Sequence, residues 1–253
     1  MSNDLARSIK RTLEVLEYFD EEHRAASVGE ISRELGYPQS STSILLKSLM
    51  SLGYLFHDES NRTYRPTARV AMLGRGIRPY LFGDGSVVSA MNELSQKTGE
   101  LIILAARSGL SVHYLHVIPA TNPLRMHLRA GAIRPLVGSA VGHLFLSGLA
   151  EGDVEKVISR ALAQKSSGPG PDPDVVRKEV CRIRDAGYVL SMSTVTPGGG
   201  VLGMLLPYEL DQQSLAICIG GVQSVLLENA DRFINDMRDV IGRHVGGSKA
   251  TKP

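Results

Sequence analysis

Tryptophan is absent from the 253 residues, and only two cysteines occur, Cys181 and Cys218. Without an indole, ligand titrations must rely on calorimetry, thermal shift or tyrosine signals. The cysteines stand far apart, with no CxxC spacing and no Cys/His cluster, so neither a disulfide framework nor a structural zinc site is supported. Two buried thiols in a reducing cytoplasm are the simplest expectation. No run approaches the roughly 18 apolar residues of a membrane span, and the start, MSNDLARSIKRTLEVLEYF, lacks a signal peptide's apolar stretch and cleavage site. The expected location is cytoplasmic, with no membrane partner. An excess of one charge is also lacking: Lys and Arg total 28 against 26 Asp and Glu, so bulk charge does not announce a nucleic-acid binder.

Catalytic signatures are missing as well. No GxSxG elbow, Walker A loop or HExxH occurs, and no sequence-local Ser/His/Asp arrangement stands out. Gly198, Gly200 and Gly203 formally satisfy GxGxxG, but MLLP follows where a helix is required, so the segment reads as a flexible turn. His113 and His116, three apart on a predicted strand, are expected to face opposite sides, and no third ligand has clear spacing. The expectation is a protein that is not an enzyme, with no cofactor and no metal.

What is present is ordinary globular composition: 43% hydrophobic, 21% charged, mean hydropathy −0.02. At about 150 residues per domain, two modest domains are the natural prior. Ile9, Leu13, Val15 and Leu16 mark a helix from about Ser8 to Phe19. Ser27, with Glu30 three residues on, has capping-box spacing ahead of a second helix carrying Val28, Ile31 and Leu35 and ending at Gly36. Pro38 suits the first turn of a third helix, in which Leu45, Leu49 and Leu52 fall at i, i+4, i+7 and Gly53 closes the element. The period then changes. Tyr54 to His57 and Arg62 to Arg65 flank the turn DESN and predict a β-hairpin.

Helix, helix, turn, helix, hairpin is the order of a winged helix-turn-helix, in which the third helix can enter a DNA major groove. Local charge agrees: residues 36 to 83 hold six cations against Asp58 and Glu59. Opposite the leucines, the third helix shows Gln39, Ser40, Ser41, Ser43 and Lys47, short hydrogen-bonding groups plus one cation, as base-edge and phosphate contacts require. The wing adds Arg62, Tyr64 and Arg65. Solvated surface accounts equally for any one of these side chains taken alone.

Farther on, residues 86 to 98 read as a helix joining two domains. Glu100 to Ala106 and Val112 to Ile118 read as a strand pair around RSGLS, and LRMHLRAG as a further strand. VGHLFLSGL reads as a buried helix, Val154 to Gln164 and Val175 to Ala186 as amphipathic helices, and KSSGPGPDPD as a loop. Strands follow at Tyr188 to Leu190, Val201 to Leu206 and Leu215 to Ile219, then a helix over Leu226 to Val245 and a loose GGSKATKP tail. This second half is large enough to hold a small ligand.

Taken together, SIKRTLEVLEYF, VGEISRELGYPQSSTSILLKSLMSLGYLFHDESNRTYRPTARVAMLG, the GYVLS run and the LAICIGGV strand resemble the isocitrate-lyase-regulator (IclR) family of bacterial transcription factors. The resemblance spans nearly the whole chain and is strongest in the first 75 residues. It implies an α+β or α/β chain: a winged helix-turn-helix over 1–76, a linker helix region over 77–98, a GAF-like effector-binding domain over 99–247 and a flexible tail over 248–253. It also implies a homodimer or homotetramer on double-stranded promoter DNA, repressing or regulating in both directions under control of a small organic or aromatic acid. Family members carry arginine where this chain has Ile44, often with His or Tyr where it has Ser43, lysine where it has His143, and an acid before the Gly-Val strand where SMSTVTPGGGV has none. Loops that would line the family's pocket supply Leu128, Gly131, Val137, Ser139, Ala140, Ser193, Thr194 and Cys218 as effector contacts. Amides at the start of a helix near Ser139, with the hydroxyls of Ser139, Ser193 and Thr194, would receive a carboxylate. The alternative is a small-molecule sensor or enzyme whose winged domain mediates protein contacts.

Overall fold

The computed structural model describes residues 2–22, 24–73, 87–121, 128, 131–163, 171–192, 197–210 and 213–245. Ser193, Thr194, the tail, the start of the expected linker and most of LRMHLRAG lie outside them. The chain divides into two compact units, Met1–Arg78 and Pro79–Pro253.

The first unit runs α1 (Ser2–Glu22), β1 (Ala26–Ser27), α2 (Val28–Leu35), α3 (Gln39–Ser51), β2 (Leu55–Asp58), β3 (Thr63–Pro66) and α4 (Ala68–Met72). Its strands form an antiparallel sheet in the order β1-β3-β2. Val15, Tyr18 and Phe19 of α1 meet Ile31 of α2, Leu46 and Leu49 of α3, and Leu55 and Tyr64 of the hairpin in one buried cluster. On α3 the buried stripe is Thr42, Leu46 and Leu49, one helical face at i, i+4, i+7. Leu45 is only half-buried and Leu52 is exposed, so the expected stripe is rotated by about one residue.

The second unit contains α5 (Val87–Thr98), β4 (Leu101–Ser108), β5 (Ser111–Ile118), β6 (Ile133–Pro135), α6 (Ala140–Ser147), α7 (Glu151–Ala163), α8 (Pro173–Ala186), β7 (Val189–Met192), β8 (Gly199–Leu210), β9 (Gln213–Val222), α9 (Gln223–Glu228) and α10 (Ala230–His244). Six strands form one sheet in the order β6-β5-β4-β9-β8-β7, every neighbour antiparallel, so the architecture is α+β. Side chains alternate across a strand, and β4 shows why its run is apolar throughout. Leu101, Ile103 and Ala105 pack with α6, α7 and α8, while Ile102, Leu104 and Ala106 pack with α5, α9 and α10. The sheet is covered on both faces.

Several expectations change. The helix over 87–98 is part of the second unit's core, with Val87, Ala90, Met91 and Leu94 fully buried. The final helix is two helices, divided at Asn229, whose φ of −108° leaves the helical range. Gly200 and Gly203 belong to β8, and only Gly198 turns, at φ 74°. A Cβ on Gly203 would lie 2.8 Å from Cys218 Sγ, so these glycines serve close packing. A register shift in the β4–β5 pair sets His113 opposite Ala106 and His116 opposite Leu104, two residues of one face. The bulge thereby turns the two histidines to the same side, and no group of three metal-binding side chains forms among the described residues. Cys181 is exposed and only Cys218 is buried.

Candidate nucleic-acid interface

The helix-turn-helix is fixed by local chemistry. Ser27 caps α2: its hydroxyl accepts from the Glu30 amide at 3.3 Å, while the Ser27 amide and hydroxyl both donate to the Glu30 carboxylate at 2.8 Å. Bonds from the Ser27 amide and hydroxyl, and then from Arg24, hold the Glu30 carboxyl down at about 2. Gly36 ends α2 in the left-handed region at φ 68°, which a Cβ would disfavour. The turn is tied by the Tyr37 amide to the Ser32 carbonyl (3.0 Å) and by the Ser32 hydroxyl to the Tyr37 carbonyl (2.6 Å). Tyr37 in turn donates its hydroxyl to Glu14 and lies under the Arg11 guanidinium at 4.7 Å, which joins the turn to α1. Burial first, and Glu14 second, push the Tyr37 hydroxyl up to about 12.

Pro38 then starts α3 without any side-chain cap, so the first amides of this helix point outward uncapped. Gln39, Ser40 and Lys47 are exposed, and Ser41 and Ser43 are half-buried. None of Ser40, Ser41, Ser43 and Lys47 has a hydrogen-bond or ion-pair partner among the described residues. The other α3 hydroxyls are in use: Thr42 donates to Pro38 O, Ser48 to Ile44 O and Ser51 to Ser48 O. Beside α3 a groove of about 300 Å³ is lined by Ser8, Arg11, Tyr37, Ser41, Ile44 and Ser48 among others. Arg11 and Ile44 were not among the sequence-derived contacts. Arg11 could have been found only by knowing that its guanidinium stacks on Tyr37, which brings it to this groove.

In the wing, Asp58 accepts from the Ser60 amide and hydroxyl and from Asn61, which closes the turn and lowers its own carboxyl pKa, the Ser60 hydroxyl bond first. Arg62 sits at φ 52°, an uncommon place for a side chain, and it is exposed. Arg65 is exposed with its guanidinium 4.8 Å over Phe56. Tyr64 departs from the expectation: it is 4% exposed, 4.5 Å from the His57 ring, and part of the core. Strand alternation turns Arg65 out and therefore Tyr64 in.

In the second unit, the expected effector contacts are largely enclosed. Val137, Ser139, Ala140 and Cys218 are buried. Ser139 caps α6, accepting from the Gly142 amide at 3.1 Å and donating to the Pro135 carbonyl at 2.7 Å, so its hydroxyl is already committed. His143 contacts Val137 O through Nε2 at 2.8 Å, and a Cβ on Gly142 would meet Leu136 O at 1.9 Å. Leu128 packs against the core, and Gly131 (φ 79°) donates its amide to Tyr114 O. Burial pushes the Cys218 thiol up to about 12, and burial, then Cys218, does the same to the Tyr114 hydroxyl. The sequence reading missed Arg134, which stacks 5.6 Å over Tyr114 on this face and supplies a cation beside neutral groups. Its place follows from register: Arg134 stands opposite Val112.

Comparisons with known proteins agree with this division. The family model described as the IclR helix-turn-helix domain matches residues 8–59, and that of the bacterial transcriptional regulator IclR C-terminal domain matches residues 86–241. The HTH-type transcriptional repressor AllR of Escherichia coli strain K12 is 25% identical over 234 residues, spanning 91% of this chain and 84% of that protein. The HTH-type transcriptional regulator KdgR of Dickeya chrysanthemi is 28% identical over 164 residues, 65% of this chain and 53% of its own length. Among solved structures, an IclR transcriptional regulator from Alicyclobacillus acidocaldarius superposes with a TM-score of 0.63 at 19% identity, covering 95% of this chain and 98% of that one. An IclR homolog from Microbacterium hydrocarbonoxydans, complexed with 4-hydroxybenzoate, gives 0.62 at 18% identity, covering 94% and 98%. The last two show a shared fold. With a winged helix-turn-helix in the first unit and a C-terminal family match across more than half of its length, the chain belongs to the IclR family of DNA-binding transcriptional regulators.

Proposed function

We propose that this regulator represses, or regulates in both directions, by placing α3 in the major groove of promoter DNA under the control of a small organic or aromatic acid. The carrying observation is the outward face of α3: Ser40, Ser41, Ser43 and Lys47 lack partners among the described residues, beside an uncapped helix start. Gln39 and the serines would meet base edges, Lys47 a phosphate, and Arg62 and Arg65 the backbone or minor groove beside the wing. Two copies would read two half-sites, as a homodimer or homotetramer in the cytoplasm, with residues 1–76 as head, 77–98 as linker region, its α5 packed into the core of the second unit, and 99–247 as effector domain.

The acid would bind on the face of the sheet that carries Leu128, Gly131, Tyr114 and Cys218, with Arg134 as its charge partner. The 4-hydroxybenzoate held by the Microbacterium hydrocarbonoxydans homolog supports an aromatic carboxylate as the first compound to try. Its binding would bias α5, the described element of the second unit nearest in sequence to the head. No step in this scheme requires catalysis. The test is a mobility-shift titration against the intergenic DNA upstream of the protein's own gene, with a scrambled competitor. Specific retention at nanomolar to tens-of-nanomolar protein, released by an aromatic acid, is the expected result. Binding equal to the scrambled control removes the reading for that promoter.

A further inference from the structure

Ile44 is 68% exposed and occupies the crown of α3, on the side away from Thr42, Leu46 and Leu49. Ser40 and Ser41 stand one turn before it, Lys47 and Ser48 one turn after. The core of the first unit closes without it, so burial in the folded chain does not account for a large apolar side chain here. Single exposed isoleucines are common, and what distinguishes this one is that its neighbours one turn away on α3 are small hydroxyls and a cation. A β-branched side chain on a helix is held in one dominant χ1 rotamer, so Ile44 presents a stiff apolar knob.

In the major groove the apolar feature of a base edge is the C5-methyl group of thymine, whereas guanine, adenine and cytosine edges present donors and acceptors that isoleucine would leave unpaired. We propose that Ile44 is a specificity-determining residue that selects thymine by packing on this methyl group at one position of each half-site. The assignment rests on α3 being the reading helix. Ser48 does not compete for the base, because its hydroxyl donates to the Ile44 carbonyl at 2.9 Å. Ser40 and Ser41 on one side and Lys47 on the other remain to fix the flanking positions. Arg11, on the wall of the adjoining groove, adds a cation toward the backbone.

The experiment selects binding sites for the full-length protein from duplexes with a randomised core, then resynthesises the recovered site with each thymine replaced in turn by deoxyuridine, which removes the methyl group alone. A single uracil at the critical position of one half-site should weaken binding about fourfold, the worth of one buried methyl group. Ile44→Ala should abolish that sensitivity, Ile44→Val should keep it, and selection with Ile44→Arg should recover guanine there. Exposure of the side chain means that all three variants should unfold at the wild-type midpoint. A specific site whose uracil substitutions act identically on wild type and Ile44→Ala overturns the assignment and leaves the DNA-binding reading standing. Failure to enrich any sequence over the starting pool overturns both.

Discussion

Serines and basic residues on the outward face of α3 and in the wing are used differently from those of the second unit. On α3, Ser40, Ser41 and Ser43 have hydroxyls without partners, and Lys47 and Arg62 have no acid beside them among the described residues. In the second unit Ser139 and Ser147 are buried and hydrogen-bonded. Cations there are tied to carboxylates: Arg177 to Glu155 at 2.7 Å, Arg182 to Glu179 at 2.6 Å, Arg243 to Glu93 at 2.6 Å and Lys97 to Asp236 at 3.1 Å. An exposed polar group without a partner leaves its bonding capacity for another molecule, whereas a paired one has already used it. The α3 face is free to receive another molecule, whereas these groups of the second unit hold its own shape.

Breaking the second half of that contrast should have the largest effect. Gly142→Ala places a Cβ against the Leu136 carbonyl, which as backbone cannot step aside, and should cost the second unit about 3 kcal/mol, seen as a lower denaturant midpoint. Ser139→Ala removes the α6 cap and leaves the Pro135 carbonyl without its donor, for a loss of about 1 kcal/mol by the same measurement. A comparable loss of effector binding without loss of stability would instead mark this serine as a ligand contact.

The first half is sharpened by salt. Lys47→Ala should weaken binding to all DNA sequences and lower the slope of log affinity against log salt by about one per reading head. Arg177→Ala, which breaks a pair already satisfied within the second unit, should leave that slope unchanged. Acid separates the units more gently. Because the Glu30 carboxyl is held at about 2 in the folded chain, its contribution is complete above its ordinary value of 4.5 and is lost as pH falls toward 2. Glu93 is held at about 2 by Arg243 and His244, so the second unit softens over the same window. Glu30→Gln should therefore flatten the acid dependence of the first unit and leave that of the second, in unfolding monitored unit by unit. The smallest effect belongs to Ser41→Ala, which should alter the preferred half-site in a selection experiment with little change in fold.

The head was legible in the sequence because its signals are local. The Ser27–Glu30 box, the Gly36 stop and the DESN turn each act within four residues and stand where expected, and Pro38 falls one residue early, as the N-cap of α3 rather than in its first turn. Tyr64 was misplaced because period-2 alternation does not say which face is inward until the partner strand is known, and β1, two residues long, carries no period of its own. In the second unit the strands could be read but not their register. The β4–β5 shift that turns His113 and His116 to one side, and the cross-strand position of Arg134, depend on pairings that no spacing within either strand encodes. Ser139 looked like an anion donor from its helix start alone, and the structure commits its hydroxyl to the Pro135 carbonyl, a partner that the helix start does not reveal.

The central ladder of the sheet sets an order of events during synthesis. Every described pairing of the head, from Ala26 with Tyr64 to Asp58 with Thr63, lies within the first 73 residues, so the ribosome delivers it whole and early. Leu101, by contrast, must wait for Gly220, at the far end of the second unit. Until β9 emerges, β4 offers one unpaired edge bearing alternating leucine, isoleucine and alanine, which is the kind of surface that recruits chaperones or a neighbouring nascent chain. A message cut short before Leu215 would therefore yield a finished DNA-reading head attached to a body that cannot close.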